Sequence, residues 1–576
     1  MAEHNLHSVA FPTLDQSLID DLSRCSSVTT KTYRDGQTLF SVGDRDFKFF
    51  IVKSGEVEIV DHSGDEPKTV TVHLKGQFTG DVSHLTGNPA VVSAVARGDT
   101  EVYEVSGDTL RRILNQCPTA GDIILQAFIA RRQLLRASAD FTGLRVIGSR
   151  YSSDTFRVRD FLAKNRVLFT WTDVETDPNV DLLLKGFGVS EADTPVVACS
   201  SMLLLRNPSN RELADRIGIR RPVEQTLYDL IVVGAGPAGL AAAVYGASEG
   251  LRTLVLDSTA PGGQAGSSMR IENYLGFPTG ITGSELADRA ILQANKFGAR
   301  LSVSTPVSSL MFDKTYPVLR LDGDETVSTK CLLIATGVEY RRLNAERCEQ
   351  FEGRGVFYAA THNEAHIYKG AQVVLVGGGN SAGQAAVFLS QHASRVLLVI
   401  RGDDLYKHMS SYLAKRIEQT PNIELLRNST VQRMNGDGHL NSIEIVNSKT
   451  GEKRTVETPA VFSFIGAVPR TDWLPPEIER DGKGFIRTGP SLGSPRTGPA
   501  SDNRFCSRPA APACSRPATC DPTRSNASLP RSARARWPSS SCMSTSRRCD
   551  YHATTNRSKI PCLWRGLVRA VHRSPP

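Results

Sequence analysis

The sequence predicts a multidomain chain: an N-terminal β-barrel (jelly roll) with helices, a small α/β module, two Rossmann-like α/β dinucleotide-binding domains, and a disordered tail. Three observations predict it. Glycine-punctuated alternating stretches fill the first part, two glycine fingerprints each stand between an apolar strand and a helix, and composition breaks near Gly493. At 576 residues the chain is too long for one core. No apolar run of about 18 residues occurs, which excludes a membrane span. The Met-Ala-Glu-His start lacks a basic segment followed by an apolar one, so the expected location is cytoplasmic.

The net charge of +8, from 68 basic and 60 acidic residues, is unevenly spread. From Gly493 onward 15 basic residues face 3 acidic ones, leaving 53 against 57 and a balance of −4 for the body. A mildly acidic body excludes nucleic acid as the expected partner. Cysteine divides at the same place. Cys25, Cys117, Cys199, Cys331 and Cys348 are scattered and form no C-x-x-C, whereas six cysteines crowd into the tail. Such sparse use fits reduced thiols.

The first module covers residues 1–138. Alternating stretches Phe47–Val52 and Val57–Val60, with Gly36, Gly43, Gly55 and Gly76 between such stretches, read as a small antiparallel barrel. A helical pattern follows through Leu110, Ile113, Leu114, Ile124 and Phe128, ending near Arg131-Arg132. With the turn Phe78-Thr79-Gly80-Asp81, this order resembles the cyclic-nucleotide-binding domain over roughly residues 30–135. In that family a Gly-Glu holds phosphate and ribose, and an Arg after a turn proline pairs with the cyclic phosphate. Here Asp81 stands for the Glu, and Ala90 follows Asn88-Pro89 where the Arg belongs. The resemblance implies the fold with weak binding of cyclic nucleotide. It leaves two readings, a regulatory or dimerisation module and a working sensor.

The second module, 142–222, alternates strand and helix: Leu144–Ile147, a helix around Phe156–Asn165, Val167–Trp171, and Val196-Val197 after Thr194-Pro195. That order resembles a thioredoxin or glutaredoxin fold, in which this proline is usually cis. Where such folds place a nucleophilic thiol, this chain has Ser149-Arg150-Tyr151-Ser152-Ser153. Dithiol chemistry is excluded there, which leaves a structural or docking role.

The third part spans 226–342, 343–460 and 461–492. The buried strand Asp229–Val233 precedes Gly234-Ala-Gly236-Pro-Ala-Gly239 and a helix, and a second strand ends at Asp257, 23 residues on. Glycine permits a tight turn and close approach of pyrophosphate to the helix start, and an acid at Asp257 suits the adenosine ribose. The unit recurs 143 residues later as Gly377-Gly-Gly379-Asn380-Ser381-Ala382, with Arg401 where the acid would stand. A cation there suits a 2′-phosphate and favours NADPH over NADH.

Between and after these fingerprints lie Pro261-Gly262-Gly263-Gln264, Glu272-Asn273-Tyr274, Ala335-Thr336-Gly337 and Phe464-Ile465-Gly466-Ala467-Val468-Pro469. Together they resemble the low-molecular-weight thioredoxin reductases across about residues 226–492. The resemblance implies that FAD is held by Gly234, Gly236, Gly239, Asp257, Gly263, Gln264 and Asn273. It places the crossing between the FAD and nicotinamide domains at Thr336 and Gly337, and NADPH (or NADH) on Gly377, Gly379, Asn380, Ala382 and Arg401. The departure is at the family's C-A-T-C, which reads Ala359-Ala360-Thr361-His362 here. His362 is open to two readings, a proton donor near the flavin and a packed or solvated residue. Cys331 and Cys348 read as ordinary buried thiols.

The tail, 493–576, holds 11 prolines and no helical or strand period. If permitted codons are chosen for Asn503 to Ser546 and the frame is slipped by two bases, a family-like ending emerges, containing Gly-Val-Phe-Ala-Ala-Gly-Asp-Val. In this family that Gly-Asp binds the ribityl chain and pyrophosphate of the flavin, and the following helix closes the FAD domain. The expectation is a frameshift near Gly493.

The sequence therefore reads as an FAD- and NAD(P)H-dependent oxidoreductase with an N-terminal regulatory domain. Its partners would be a small-molecule or protein electron acceptor, a weakly held cyclic nucleotide, and a second copy in a homodimer. Two alternatives remain: a ferredoxin- or flavodoxin-NADP reductase-like enzyme, and a non-catalytic redox regulator.

Overall fold

The computed structural model describes residues 2–25, 28–62, 66–137, 143–199, 203–313 and 316–488. The tail from Gly493, where the sequence leads one to expect a frameshift, lies outside the described residues.

Two helices, α1 (Ala2–Ala10) and α2 (Gln16–Cys25), precede β1 (Thr29–Tyr33), β2 (Thr38–Phe40), β3 (Phe49–Asp61), β4 (Lys68–His73), the short α3 (Ser83–Thr86) and β5 (Ser93–Val105). The antiparallel sheet runs β1-β5-β3-β4, and β2 pairs β5. The two stretches expected as separate strands, Phe47–Val52 and Val57–Val60, are thus one strand. Its register slips around Ser54, and Gly55 sits there with φ +78°. A Cβ at Gly55 would lie 2.5 Å from Thr100 Oγ1 and 2.6 Å from Asp99 O, so this glycine lets β5 close on a bulge without ending the strand.

Helix α4 (Gly107–Gln116) starts where the Ser106 side chain accepts the Thr109 N–H, and α5 (Pro118–Ala137) follows. Helix α5 runs past Arg131-Arg132, where the sequence pattern ended it, and Leu134 and Leu135 continue its inner face against the barrel.

In the second module β6 (Leu144–Ile147), α6 (Ser153–Lys164), β7 (Phe169–Thr172), α7 (Val180–Gly186), β8 (Val196–Cys199), β9 (Leu203–Arg206) and α8 (Asn210–Arg216) form one layer of sheet with helices. The order is β7-β6-β8-β9, with β6 parallel to β7 and the remaining pairs antiparallel. Helix α6 begins earlier than its apolar pattern because Ser152 caps it, accepting the Thr155 N–H. The Thr194–Pro195 peptide is cis.

The first dinucleotide unit contains β10 (Leu227–Val233), α9 (Pro237–Ser248), β11 (Thr253–Leu256), α10 (Gly283–Lys296), β12 (Arg300–Ser302), β13 (Val307–Phe312), β14 (Pro317–Leu321) and β15 (Thr326–Ile334). Its order is β12-β11-β10-β15-β14-β13. Strand β15 lies parallel to β10 over its length, but β14 covers only Thr326–Ser328 of its other edge. Among the described residues no strand pairs with that edge from Lys330 to Ile334.

Strand β16 (Val338–Tyr340) leads into the second unit, with β17 (Val356–Phe357), α11 (His362–Ile367), β18 (Gln372–Val376), α12 (Asn380–Ser390), β19 (Arg395–Val399), α13 (Ser411–Glu418) and β20 (Ile423–Leu426). An antiparallel meander, β21 (Ser429–Asn435), β22 (Ser442–Asn447) and β23 (Lys453–Glu457), precedes β24 (Val461–Ser463) and the returning β25 (Ala467–Pro469). The parallel sheet is β17-β24-β18-β19-β20, and β25 pairs β16 to make the two-stranded crossing.

The modules share cores. Leu292 of α10 belongs to the barrel cluster of Phe49, Phe78 and Phe128, while Val303 packs with Val146 and Phe161 of the second module. Phe156 of α6 packs on the cluster around Phe357 and Phe462. No described helix is long and apolar enough to cross a membrane.

Candidate active site

The three glycines of the first fingerprint do three different jobs. Gly234 has φ +103°, and a Cβ there would lie 2.2 Å from Ala335 O, so the turn presses on the Ala335-Thr336-Gly337 crossing. A Cβ on Gly239 would lie 1.8 Å from Gly234 O, so this glycine lets α9 close on β10. Gly236 has nothing within 4 Å of that position, which leaves its face of the helix start open for a pyrophosphate. Gly263 lies over it, with its added Cβ 2.9 Å from the Gly236 Cα.

Asp257 is tied into this cradle. Its carboxylate accepts the N–H groups of Ala235 (2.8 Å), Thr259 (2.9 Å) and Ala260 (2.9 Å). Burial raises its pKa, and those N–H donors offset the rise only in part. The side chain therefore fixes the glycine turn to the following loop and keeps about one lone-pair site that could take a ribose hydroxyl. Gln264 lies in the turn Gly263–Ser267, whereas Asn273 sits on an exposed loop closed by the Ile271–Ile281 bridge. Arg416 of α13 reaches Glu272 beside it at 3.2 Å, linking that loop to the second unit. At the crossing, Thr336 Oγ1 donates to Arg470 O (2.7 Å) and Arg470 N to Gly337 O (3.2 Å).

The second cradle repeats the geometry. Gly377 has φ +148°, and its Cβ would meet Phe464 O at 2.5 Å and the buried Ala382 at 3.1 Å; Gly379 is open. Asn380 Oδ1 accepts the Ser410 N–H (2.7 Å), holding the loop after β19. Arg401, just past the end of β19, is exposed on that loop. Glycine-open helix starts at the carboxyl ends of parallel strands fit two dinucleotides. On the flavin side, no Gly-Asp follows Phe464 among the described residues.

Where a dithiol would stand, Thr361 caps α11, accepting the Asn363 N–H, and its own N–H and hydroxyl go to Glu364. His362 opens the helix, exposed, with its ring edge-on to Phe388 at 5.3 Å. Burial and then His392 lower its pKa. Neighbouring thiols cannot take over. Burial pushes Cys348 up to about 11 and raises Cys331 and Cys199 as well.

One residue that ties the modules together here was invisible in the sequence. Arg166, in the turn after α6, donates to Pro261 O at 2.8 Å and pairs with Asp288 of α10. Arg132 donates to Arg166 O at 3.1 Å and pairs with Asp81 at 3.4 Å. A polar chain thus runs from the barrel turn to the loop Pro261–Gly263. An isolated arginine at a helix end carries no motif, so nothing marked it.

In the barrel a cavity of about 340 Å³ is lined by Phe40, Phe47, Val92, Ala90, Lys68 and Asp81, among others. Arg131 also reaches it, but its guanidinium is spent on Ala10 O (2.8 Å), Gly80 O (2.6 Å) and Phe78 O (2.9 Å). Burial lowers its pKa to about 9.

Two paired nucleotide cradles joined by a two-stranded crossing define a flavin- and pyridine-nucleotide-dependent oxidoreductase. A family model described as pyridine nucleotide-disulphide oxidoreductase matches residues 228–495, and one described as cyclic nucleotide-binding domain matches residues 30–117. The thioredoxin reductase of Treponema pallidum (strain Nichols) is 37% identical over 264 residues, 46% of this chain and 84% of that protein. That of Bacillus subtilis (strain 168) is 35% identical over 247 residues, 43% and 76% respectively. The crystal structure of the T. acidophilum thioredoxin reductase is 29% identical, covers 46% of this chain and 86% of its own, and superposes with a TM-score of 0.44. The chain belongs to the thioredoxin reductase family, whose members use FAD and NADPH.

Proposed function

We propose that this protein passes hydride equivalents from NADPH through FAD to an acceptor that needs no enzyme dithiol. One observation carries the reading: both nucleotide cradles are built, while Ala359 and His362 occupy the dithiol positions. Bound flavin would accept a hydride from the nicotinamide and release electrons singly or in pairs. The residues Gly234, Gly236, Gly239, Asp257 and Gly263 would hold the FAD pyrophosphate and ribose, with Gln264, Asn273, Thr336 and Gly337 around the flavin. Gly377, Gly379, Asn380 and Ala382 would hold the nicotinamide dinucleotide, with Arg401 on its 2′-phosphate. Quinone, ferredoxin or flavodoxin added with NADPH should sustain nucleotide oxidation. If none does and the reduced flavin persists, the protein is a regulator.

The cofactor preference gives a sharper test. A charge-assisted contact is worth about 1.5–3 kcal/mol, so Arg401→Ala should raise the KM for NADPH roughly tenfold to hundredfold. The KM for NADH should hardly move. Steady-state kinetics with both nucleotides reads this directly, and equal effects on both would place the 2′-phosphate elsewhere.

The barrel reads as a regulatory module and the sheet β7-β6-β8-β9 as a thioredoxin-like module without its thiols. The chain Asp81–Arg132–Arg166–Pro261 supports a regulatory role, because it joins the barrel turn to the flavin loop. Cyclic AMP should bind the barrel weakly, since Ala90 supplies no cation and Arg131 has none to spare. Ala90→Arg should strengthen binding by about tenfold to hundredfold by calorimetry. Tight binding to the unaltered chain would mean that Lys68, which also lines the cavity, replaces the missing arginine. A cytoplasmic location, a protein or small-molecule acceptor and a homodimer complete the reading.

A further inference from the structure

A cleft of about 1280 Å³ opens between the second module and the pyridine-nucleotide domain. One wall is α6 and β7, with Arg159 and Trp171; the other is α11 and its end, with His362, His366 and Lys369. Arg159 is 6% exposed, and its guanidinium lies 3.6 Å over the Trp171 ring. Its Nε is buried without a partner, and no hydrogen bond or ion pair joins the side chain to any described residue. The nearby carboxylates are committed elsewhere. Asp173 takes the Arg150 N–H (3.1 Å) and guanidinium, and Glu364 takes the Thr361 N–H (2.8 Å).

Buried charges in folded proteins are paired, because an isolated one forfeits its hydration. Arg131 in this same chain obeys the rule with three carbonyls. Arg159 has no such hydrogen bonds: Glu364 and Asp173 lie near enough to favour its charge, yet neither bonds it, and it borders the cleft. Among the other charged groups there, Arg150 is neutralised by Asp173 and Arg166 by Asp288, which leaves exposed Lys369 against Asp177, while the rings of His362, His366 and His392 add hydrogen-bonding nitrogens. The volume far exceeds an inorganic ion, and Trp171 and Phe169 give it aromatic surface.

We propose that this cleft binds a small organic anion, with a carboxylate or phosphate group seated on Arg159 and a planar body lying along Trp171. The proposal does not depend on which acceptor the flavin reduces. Arginine is suited to the task because its planar fork matches both oxyanions and stacks on indole at the same time.

Thermal unfolding and calorimetry with inorganic phosphate, phenyl phosphate and benzoate, each against sodium chloride at equal ionic strength, test it. The full chain is measured beside the version whose frame is restored after Gly493, since both carry every residue of the cleft and only the second is expected to resist aggregation. At least one organic probe should raise the Tm above the chloride control, and the ranking of phenyl phosphate against benzoate identifies the preferred oxyanion. Arg159→Met should weaken that probe about tenfold or more. Trp171→Leu should weaken the aromatic probes and leave inorganic phosphate unchanged. Lys369→Gln, on the exposed opposite wall, should weaken binding a few-fold without touching the fold. Absence of any shift beyond chloride would overturn the proposal. So would an Arg159→Met variant that unfolds earlier and binds the probes unchanged, which would make Arg159 a stacking strut.

Discussion

Purified as 576 residues, the chain is expected to carry several-fold less flavin per protein than a version whose frame is restored after Gly493, and to aggregate more readily. The reason lies in the sheet. Strand β15 ends at Ile334, immediately before the Ala335-Thr336-Gly337 crossing, and its outer edge from Lys330 onward has no strand partner among the described residues. An unpaired edge in a parallel sheet leaves backbone groups unsatisfied and offers a template for other chains. Leu332 and Leu333 on that stretch are only half-buried. The text expected in the shifted frame, Gly-Val-Phe-Ala-Ala-Gly-Asp-Val, has the composition of such a strand and contains a Gly-Asp, which the described residues lack after Phe464. The match to the oxidoreductase family model also stops at residue 495, close to the break at Gly493. Absorbance at the flavin bands against protein absorbance, with light scattering alongside, compares the two chains. Equal and stoichiometric flavin in both would show that the visible tail completes the site, and the frameshift would lose its functional meaning.

What could be read from the residues, and what could not, follows from the range of the interactions. Both fingerprints were legible because each glycine answers a local demand. Gly234 needs φ +103°, Gly239 needs room against Gly234 O, and Gly236 needs an open face. Those demands recur at fixed spacing in any dinucleotide cradle. Strand ends were less legible. Gly55 looked like a turn because glycine usually breaks strands, and only the approach of Thr100 from β5 shows that it admits a bulge. Helix α5 outran its expected end because Leu134 and Leu135 face a barrel that local periodicity cannot see. The least legible residues were Arg159 and Arg166. Arg159 depends on α6 packing over Trp171 of β7, and Arg166 on contacts with another module through Pro261 and Asp288. No spacing along the chain encodes those contacts. Asp257 stands between these cases: its position marked it for the ribose, but its grip on the N–H groups of Ala235, Thr259 and Ala260 emerged only from the folded loop.

Thioredoxin should not be reduced above background by this protein and NADPH, even when the flavin is fully reduced. Relay to a protein disulfide requires a thiolate to attack one sulfur, form a mixed disulfide, and be released by a second thiol. Ala359 and His362 supply neither, and His362 is held as the first residue of a helix capped by the Thr361–Glu364 pair. The two thiols of the reductase part, Cys331 and Cys348, are poor substitutes on two counts. Cys348 is 3% exposed and Cys331 lies within β15, and burial raises the pKa of both, so the nucleophilic thiolate is scarce at neutral pH. Neither is bonded to a second cysteine, and neither stands in a C-x-x-C that could resolve a mixed disulfide. The assay is NADPH consumption with thioredoxin and a disulfide reporter, run beside a dithiol-bearing thioredoxin reductase as the positive control. The double substitution Ala359→Cys with His362→Cys would restore the C-x-x-C spacing on the same helix start, where peptide dipoles favour the thiolate. Reporter reduction should rise above background only in that variant, and only if the flavin is bound. Turnover by the unaltered chain, abolished by alkylating its thiols, would show that a cysteine outside the described residues completes the relay and would overturn the dithiol-free reading.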